Sequence, residues 1–281
     1  MITVMGASGR VGRQVAAALD GEEVRVVGRS AERLAVLPGA VPFVGDAGDP
    51  AFLTEAFRGA AAVFTMLPVD SGEPDHRAAQ EAKATAIATA VRDAGVPYVV
   101  ALSSLGAELP TGTGFIEGLH VHEQRLAATG AQVLALRPGW FLENAADAVG
   151  PVEVLGCVAD SLDPDLPLPM VATRDVAAAA ARALRTRYRS GVVELLGPRD
   201  LTQTEVAAVL GKALDRPDLP YVRLPDDEMV AALVGAGFSP AAAARHIGMT
   251  GALNSGRISA VRTAENTTPT GIEDLVGEWV A

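Results

Sequence analysis

The first twelve residues, MITVMGASGRVG, constrain the fold most, because Gly6, Gly9 and Gly12 interrupt the passage from an apolar run into a helical pattern. Ile2 to Met5 read as a buried strand, and Val11 to Leu19 carry apolar residues at helical spacing. A glycine-rich turn between strand and helix lets the backbone approach a pyrophosphate. It also aims the free N–H groups of the helix N-terminus at that charge. In this reading Gly6 makes the tight turn, Gly9 admits the diphosphate and Gly12 lets the helix pack on the strand, with Ala7, Ser8, Arg10 and Val11 completing the loop. Arg10 adds a positive group near the phosphates. The alternative is a tight turn that holds no ligand. A Walker-type loop is excluded, since it requires Gly-Lys-Ser/Thr where this chain has Gly12-Arg13-Gln14.

The end of the second strand distinguishes the dinucleotides. An NAD site places Asp or Glu about 20 residues after the glycines to hold the ribose 2′-hydroxyl. Here the strand Glu23 to Gly28 ends in Gly28-Arg29-Ser30. A carboxylate repels a 2′-phosphate, whereas a guanidinium and a hydroxyl bind one, so the expected cofactor is NADP(H), with Arg29 and Ser30 as its ligands. The competing reading makes Arg29 a solvated charge at the start of a helix over 31–37.

Strand-like and helix-like runs alternate through the first half: strands over 41–44, 61–66, 97–102 and 132–137, helices over 50–57, 74–94 and 119–128. Continuous apolar strands separated by helices predict an α/β fold, a doubly wound parallel (Rossmann) sheet covered on both faces, with ligands over the C-terminal strand ends. Residues just after the strands are therefore site candidates: Asp46, Met66 to Pro68 with Leu67 between them, Ser103, Ser104, and Pro138, Gly139 and Trp140. Beyond about residue 150 the alternation loosens. A Pro/Asp-rich loop is expected over 160–169, then a helix over 173–184, a strand over 192–196 and a capping box, Thr202-x-x-Glu205. Residues 225–258 read as a small helical lobe with Met229, Leu233, Phe238 and Met249, either a substrate lid or simply a packed subdomain. The expected division is a cofactor-binding domain over 1–150 and a substrate region over 151–281, interleaved with the first.

Composition narrows the function classes. A net charge of −11 argues against a nucleic-acid partner. The single cysteine, Cys157, gives no disulfide framework and fits a reducing cytoplasm. No charged leader precedes the glycine motif, and the alanine-rich run 176–184 is too short and too charged to span a bilayer. The expectation is a cytoplasmic monomer or homodimer, away from membranes, acting on a small molecule. No histidine or cysteine spacing suggests a metal site.

The segments VMGASGRVGRQV, VVGRSAERL, GDAGDPAFLTEAFRGAAAVF, AGVPYVVALSSLGA, LHVHEQRLAATG, LALRPGWFLENA, MVATRDVAAAAARAL and GPRDLTQTEVAAVLG resemble the NmrA-like group of atypical short-chain dehydrogenases/reductases, over nearly the whole chain. The resemblance implies that Asp46 and Ala47 lie by the adenine, Met66 to Pro68 along the cofactor, and Pro138 and Gly139 by the nicotinamide. It also puts Ser103 where the enzymes carry a catalytic Ser or Thr. The chain departs from them in one respect. Ordinary members use a Tyr-x-x-x-Lys pair as general acid, and none of Tyr98, Tyr188 and Tyr221 has lysine four residues on. The corresponding helix carries His120, His122 and Glu123 instead. His120 is either a general acid or a capping or surface histidine, Ser103 either a donor to a carbonyl or a strand terminator. His122 and Glu123 are expected to face solvent, and Arg137 to be a buried ion-pair partner. The implied function is an NADPH-dependent reductase of a ketone or quinone-type carbonyl on a hydrophobic, aromatic or polyketide-type molecule. The alternative is a non-catalytic NADP(H) sensor acting through a protein partner.

Overall fold

A computed structural model describes residues 1–37 and 39–280. Its centre is a seven-stranded sheet in which every neighbouring pair is parallel. The strands in chain order are β1 (Ile2–Met5), β2 (Val24–Gly28), β3 (Val41–Val44), β4 (Ala62–Met66), β5 (Tyr98–Leu102), β6 (Gln132–Pro138), the short β7 (Trp140–Phe141), β8 (Val158–Asp160), β9 (Leu168–Val171), β10 (Gly191–Leu195), β11 (Asp200–Leu201) and β12 (Tyr221–Arg223). In space the large sheet runs β10-β6-β5-β4-β1-β2-β3. Winding reverses between β1 and β4, and a crevice for ligands opens above such a reversal.

The helices are α1 (Arg10–Ala18), α2 (Ala31–Ala35), α3 (Pro50–Phe57), α4 (His76–Asp93), α5 (Ile116–Ala127), α6 (Val149–Leu155), α7 (Thr173–Thr186), α8 (Gln203–Ala213), α9 (Asp226–Gly235), α10 (Pro240–Asn254) and α11 (Val276–Trp279). Strand side chains alternate between faces, so neighbours such as Val4 and Met5 enter different cores. Val4, Val26, Phe64 and Leu134 pack under α1 and α7. Met5, Val27, Val63 and Val99 pack under α3, α4 and α5. The alanine-rich face of α7 (Ala177, Ala180, Ala181) has little bulk, which lets it lie close against α1.

Several expected boundaries move for identifiable reasons. α4 begins at His76 rather than Pro74, because Asp75 is its N-cap and accepts the Ala78 N–H at 3.1 Å. α5 begins at Ile116 rather than Leu119, carrying Gly118 inside its first turn. α2 stops at Ala35, short of Leu37. The expected loop 160–169 is bounded by β8 and β9, whose partners β12 and β11 lie far along the chain, so local composition does not reveal them. Thr202 and Glu205 do form the capping box. Among the described residues no helix is long and apolar enough to cross a membrane.

Candidate active site

Above the switch between β1 and β4 lie two adjoining cavities that share Met66 and Val69. The first, about 370 Å³, is lined by Gly6, Ser8 and Gly9 of the glycine turn and by Arg29, Asp46 and Ala47 beyond it. Gly6 adopts φ +66°, which glycine tolerates best, and its N-terminal neighbour strand leads directly into the turn. A Cβ on Gly12 would lie 2.3 Å from the Gly6 carbonyl oxygen, so only glycine lets α1 start this close to the loop. The N-cap of α1, Gly9, offers no side-chain acceptor, and no acid occupies the first turn. The helix therefore presents uncapped N–H groups and the positive end of its dipole, the arrangement that binds a phosphate. Ala7, Val11 and Gly12 are buried beneath the loop as its support.

Around the rim, Arg29 is exposed and 3.9 Å from Asp70. Arg33 and Lys83 line the same cavity, two cations that strand-end reasoning missed because they sit inside α2 and α4. Ser30 is occupied elsewhere: its hydroxyl caps α2 by accepting the Arg33 N–H at 3.3 Å. Arg10 also turns aside, donating to Asp147 at 2.6 Å and to the Glu143 carbonyl at 3.3 Å. Asp46 accepts the Gly48 N–H at 2.6 Å and so shapes the turn after β3. Pro68 lines this cavity, and Leu67 the next one. These residues fit a dinucleotide, with diphosphate on the glycine turn and cations at the ribose end.

The second cavity, about 320 Å³, is mostly apolar. Strand ends supply Leu102, Ser103, Pro138 and Gly139, and Trp140 and Phe141 follow. A Cβ on Gly139 would lie 2.0 Å from the Pro169 carbonyl oxygen, so glycine there lets β9 close the wall. α10 contributes Met249 and Leu253. Of the four apolar residues named in the helical lobe, read as either a lid or a packed subdomain, only Met249 lines the cavity, and α9, which carries Met229 and Leu233, has no buried residue. On α5 the residues facing the cavity at four-residue spacing are Phe115, its N-cap, and Leu119. Neither can donate a proton. No tyrosine lines this cavity: Tyr98 donates to the Arg189 carbonyl and Tyr221 to the Leu162 carbonyl.

Beneath this wall is a charged network. The Ser103 hydroxyl donates to Glu123 at 2.5 Å. Arg137 grips both oxygens of the same carboxylate, at 3.0 and 2.7 Å, and reaches Glu108 at 2.8 Å. Hydrogen bonding to Glu123 holds the Arg137 guanidinium above its ordinary pKa. This corrects the expectation that His122 and Glu123 face solvent. A cation near the end of a central strand requires a carboxylate, and Glu123 supplies it. His122 is fully buried, its Nε2 3.4 Å from the Thr65 hydroxyl, and burial pushes its pKa down to about 4. His120 does not line the cavity; its Nδ1 is 2.8 Å from the Ala107 carbonyl, a bond that anchors α5 to the preceding loop.

Comparison with known proteins agrees with this geometry. Residues 6–187 match the family model described as NAD(P)H-binding. The chain belongs to this NAD(P)H-binding family. It is of the NmrA-like, atypical short-chain reductase type, and its cofactor is NAD(P)H. It is 36% identical over 221 residues, 77% of its length and 75% of the relative's, to a (4-alkanoyl-5-oxo-2,5-dihydrofuran-3-yl)methyl phosphate reductase of Streptomyces griseus subsp. griseus. An NAD(P)H azoreductase of Xenophilus azovorans is 26% identical, with 84% of this chain and 82% of the azoreductase aligned. In fold, the chain is similar to an NADPH-dependent quinone oxidoreductase of Escherichia coli solved with NADPH, with a TM-score of 0.80, 24% identity and 99% of each chain covered. The chain is an NAD(P)H-dependent oxidoreductase.

Proposed function

We propose that this oxidoreductase uses NADPH to reduce a quinone or ketone-type carbonyl on a hydrophobic, aromatic or polyketide-type small molecule. The observation that carries the reading is the apolar cavity joined to the cofactor cavity at Met66 and Val69, with Phe115 and Leu119 of the α5 side on its wall and no tyrosine lining it. The reduced nicotinamide supplies the hydride, and the protein supplies position and a dry pocket. Gly6 and Gly9 seat the diphosphate, while Arg29 and Arg33, with no carboxylate ending β2, favour the 2′-phosphate over a free 2′-hydroxyl. Pro138 and Gly139 form the floor at the nicotinamide end. Trp140, Phe115 and Leu119 stack or pack on a flat substrate and exclude water.

With the Ser103 hydrogen given to Glu123, the wall holds no strong acid to quench an alkoxide. Substrates that delocalise the incoming electron pair suit such a site, and a quinone, an azo compound and an acylated dihydrofuranone, the chemistry of the relatives, share that property. Oxidation of NADPH, followed by absorbance across simple ketones, enones and quinones, tests the reading. Turnover should rise steeply from simple ketone to quinone. Tight NADPH binding without turnover of any carbonyl would overturn it.

A further inference from the structure

We infer that Gln80 is the residue that holds the substrate's carbonyl oxygen, so that the apolar cavity selects flat carbonyl compounds over the matching hydrocarbons. The inference rests on the cavity being the substrate site. Gln80 lies on α4 and is 3% exposed, yet it lines the cavity. Its carboxamide has no hydrogen-bond partner among the described residues, and its side chain borders the cavity. A buried amide without a partner is destabilising unless a ligand or water satisfies it. Room for it comes from the facing helix: a Cβ on Gly118 would lie 2.5 Å from the Gln80 Oε1. This accounts for a glycine inside the first turn of α5, where it otherwise weakens the helix.

The other polar groups on this wall are less suited. The Ser103 hydrogen is committed to Glu123. Ser104 and Asn144 are only partly buried, so solvent can satisfy them. Gln80 is also close to where reduction must occur. Lys83, one helical turn further along α4, or about 4.5 Å of rise, lines the cofactor cavity. The carboxamide therefore stands beside the junction of the two cavities. With NADPH bound, its hydride would add to a carbon conjugated with the carbonyl, the displaced π pair would come to rest on the carbonyl oxygen as an enolate, and solvent would later deliver the proton. Gln80 donates an N–H to that oxygen throughout, polarising it without giving up a proton.

The test measures binding without turnover, using quenching of Trp140 in a Trp279→Phe background with NADP⁺ bound. The probes are 2-methyl-1,4-naphthoquinone and 2-methylnaphthalene. Gln80→Met should weaken quinone binding about tenfold, the effect of losing one hydrogen bond to a ligand. Its affinities for NADP⁺ and for the hydrocarbon should stay at the wild-type level. Gln80→Asn, which withdraws the amide by one methylene, should lose affinity in the same direction and serves if the Met variant fails to fold. An unchanged quinone-to-hydrocarbon ratio in the folded variants overturns the inference. Because no turnover is read, a failure of the proposed carbonyl reduction shows up separately, as an absence of NADPH oxidation with a normal Gln80 effect.

Discussion

The cofactor cavity and the substrate cavity share two residues but are built in opposite ways. The first is made largely of backbone: a glycine turn with positive φ, uncapped amides at the start of α1, and a few surface cations. The second is made of side chains from α4, α5, α10 and five strands, and its strength lies in buried networks behind the wall, such as Ser103–Glu123–Arg137. A backbone site admits almost no variation, because an added Cβ meets the Gly6 carbonyl oxygen from Gly9 or Gly12 and the Met66 side chain from Gly6. A side-chain site can change its lining one residue at a time while the same hydride donor stays in place. One chain can thereby keep a fixed cofactor and a changeable substrate.

The largest effect should come from the wall of the substrate cavity. Glu123→Leu leaves Arg137 buried, with Glu108 as its remaining salt-bridge partner and Glu194 opposite it on β10. Arg137 and Glu123 side chains are 12% and 15% exposed, and removing one partner of a buried pair costs about 3–5 kcal/mol. Thermal unfolding should register this, with NADPH affinity kept at permissive temperature. A loss below about 1 kcal/mol would mean the pair is solvated, and the contrast between the two cavities would weaken.

The same wall should make the protein acid-sensitive. Burial holds the His122 pKa at about 4 when folded, against about 6.5 in the unfolded chain. Above pH 6.5 both states are neutral and the full stability is present. As pH falls from 6.5 to 4 the unfolded state takes up the proton first, and stability drops by about 3 kcal/mol in all. His76 is lowered as well, chiefly by burial, and adds to the wild-type trend. The difference between wild type and His122→Leu isolates His122. Urea midpoints of that variant should decline less over this range, and parallel curves for the two proteins would contradict the assignment.

On the cofactor side, Gly12→Ala should reduce NADPH affinity about 100-fold, since its Cβ would stand 2.3 Å from the Gly6 oxygen and push α1 off the loop. Calorimetry gives the affinity and circular dichroism confirms the fold. The corresponding change at Gly9, whose Cβ would meet the Gly6 oxygen at 3.3 Å, should be milder without ligand and equally harmful with it. A smaller effect follows from charge. Arg29 has a side chain 74% exposed. Screening reduces its contact with a 2′-phosphate, so Arg29→Ala should cost about tenfold in NADPH affinity and leave NADH unchanged. Equal affinities of the wild type for both cofactors would remove the basis for preferring NADPH.

This contrast also explains what the sequence made legible. The glycine turn and the alternation of strands with helices depend on neighbours in sequence, so the parallel sheet and the tight turn at Gly6 and Gly12 are readable from local spacing. Glu123 and His122 were misread because a helix of mixed composition gives no sign of its buried face, although the isolated Arg137 at a strand end was a usable clue. Gln80 left only the glycine at 118, thirty-eight residues away, as a trace. β8 and β9 are hidden for a similar reason, since the partners β12 of β8 and β7 and β11 of β9 are all distant in sequence.

The smallest effect, and the sharpest test of the chemistry, concerns Ser103 and His120. Both are candidates for proton donation by type and position, but Ser103 donates its hydrogen to Glu123, and His120 stands off the cavity with its Nδ1 bound to the Ala107 carbonyl. A group that spends its proton on an internal acceptor contributes little to an alkoxide or enolate forming across the cavity. Ser103→Ala should therefore lower kcat less than about tenfold, and His120→Ala should leave it close to wild type, against the 10²–10⁴-fold usual for a positioned acid. Solvent isotope effects on kcat should be equally small in both variants and the wild type if proton delivery follows hydride transfer. A loss beyond about 10³-fold in a variant that still binds NADPH would make that residue the acid. The substrate cavity would then contain a proton donor after all, and the preference for conjugated acceptors would lose its physical reason.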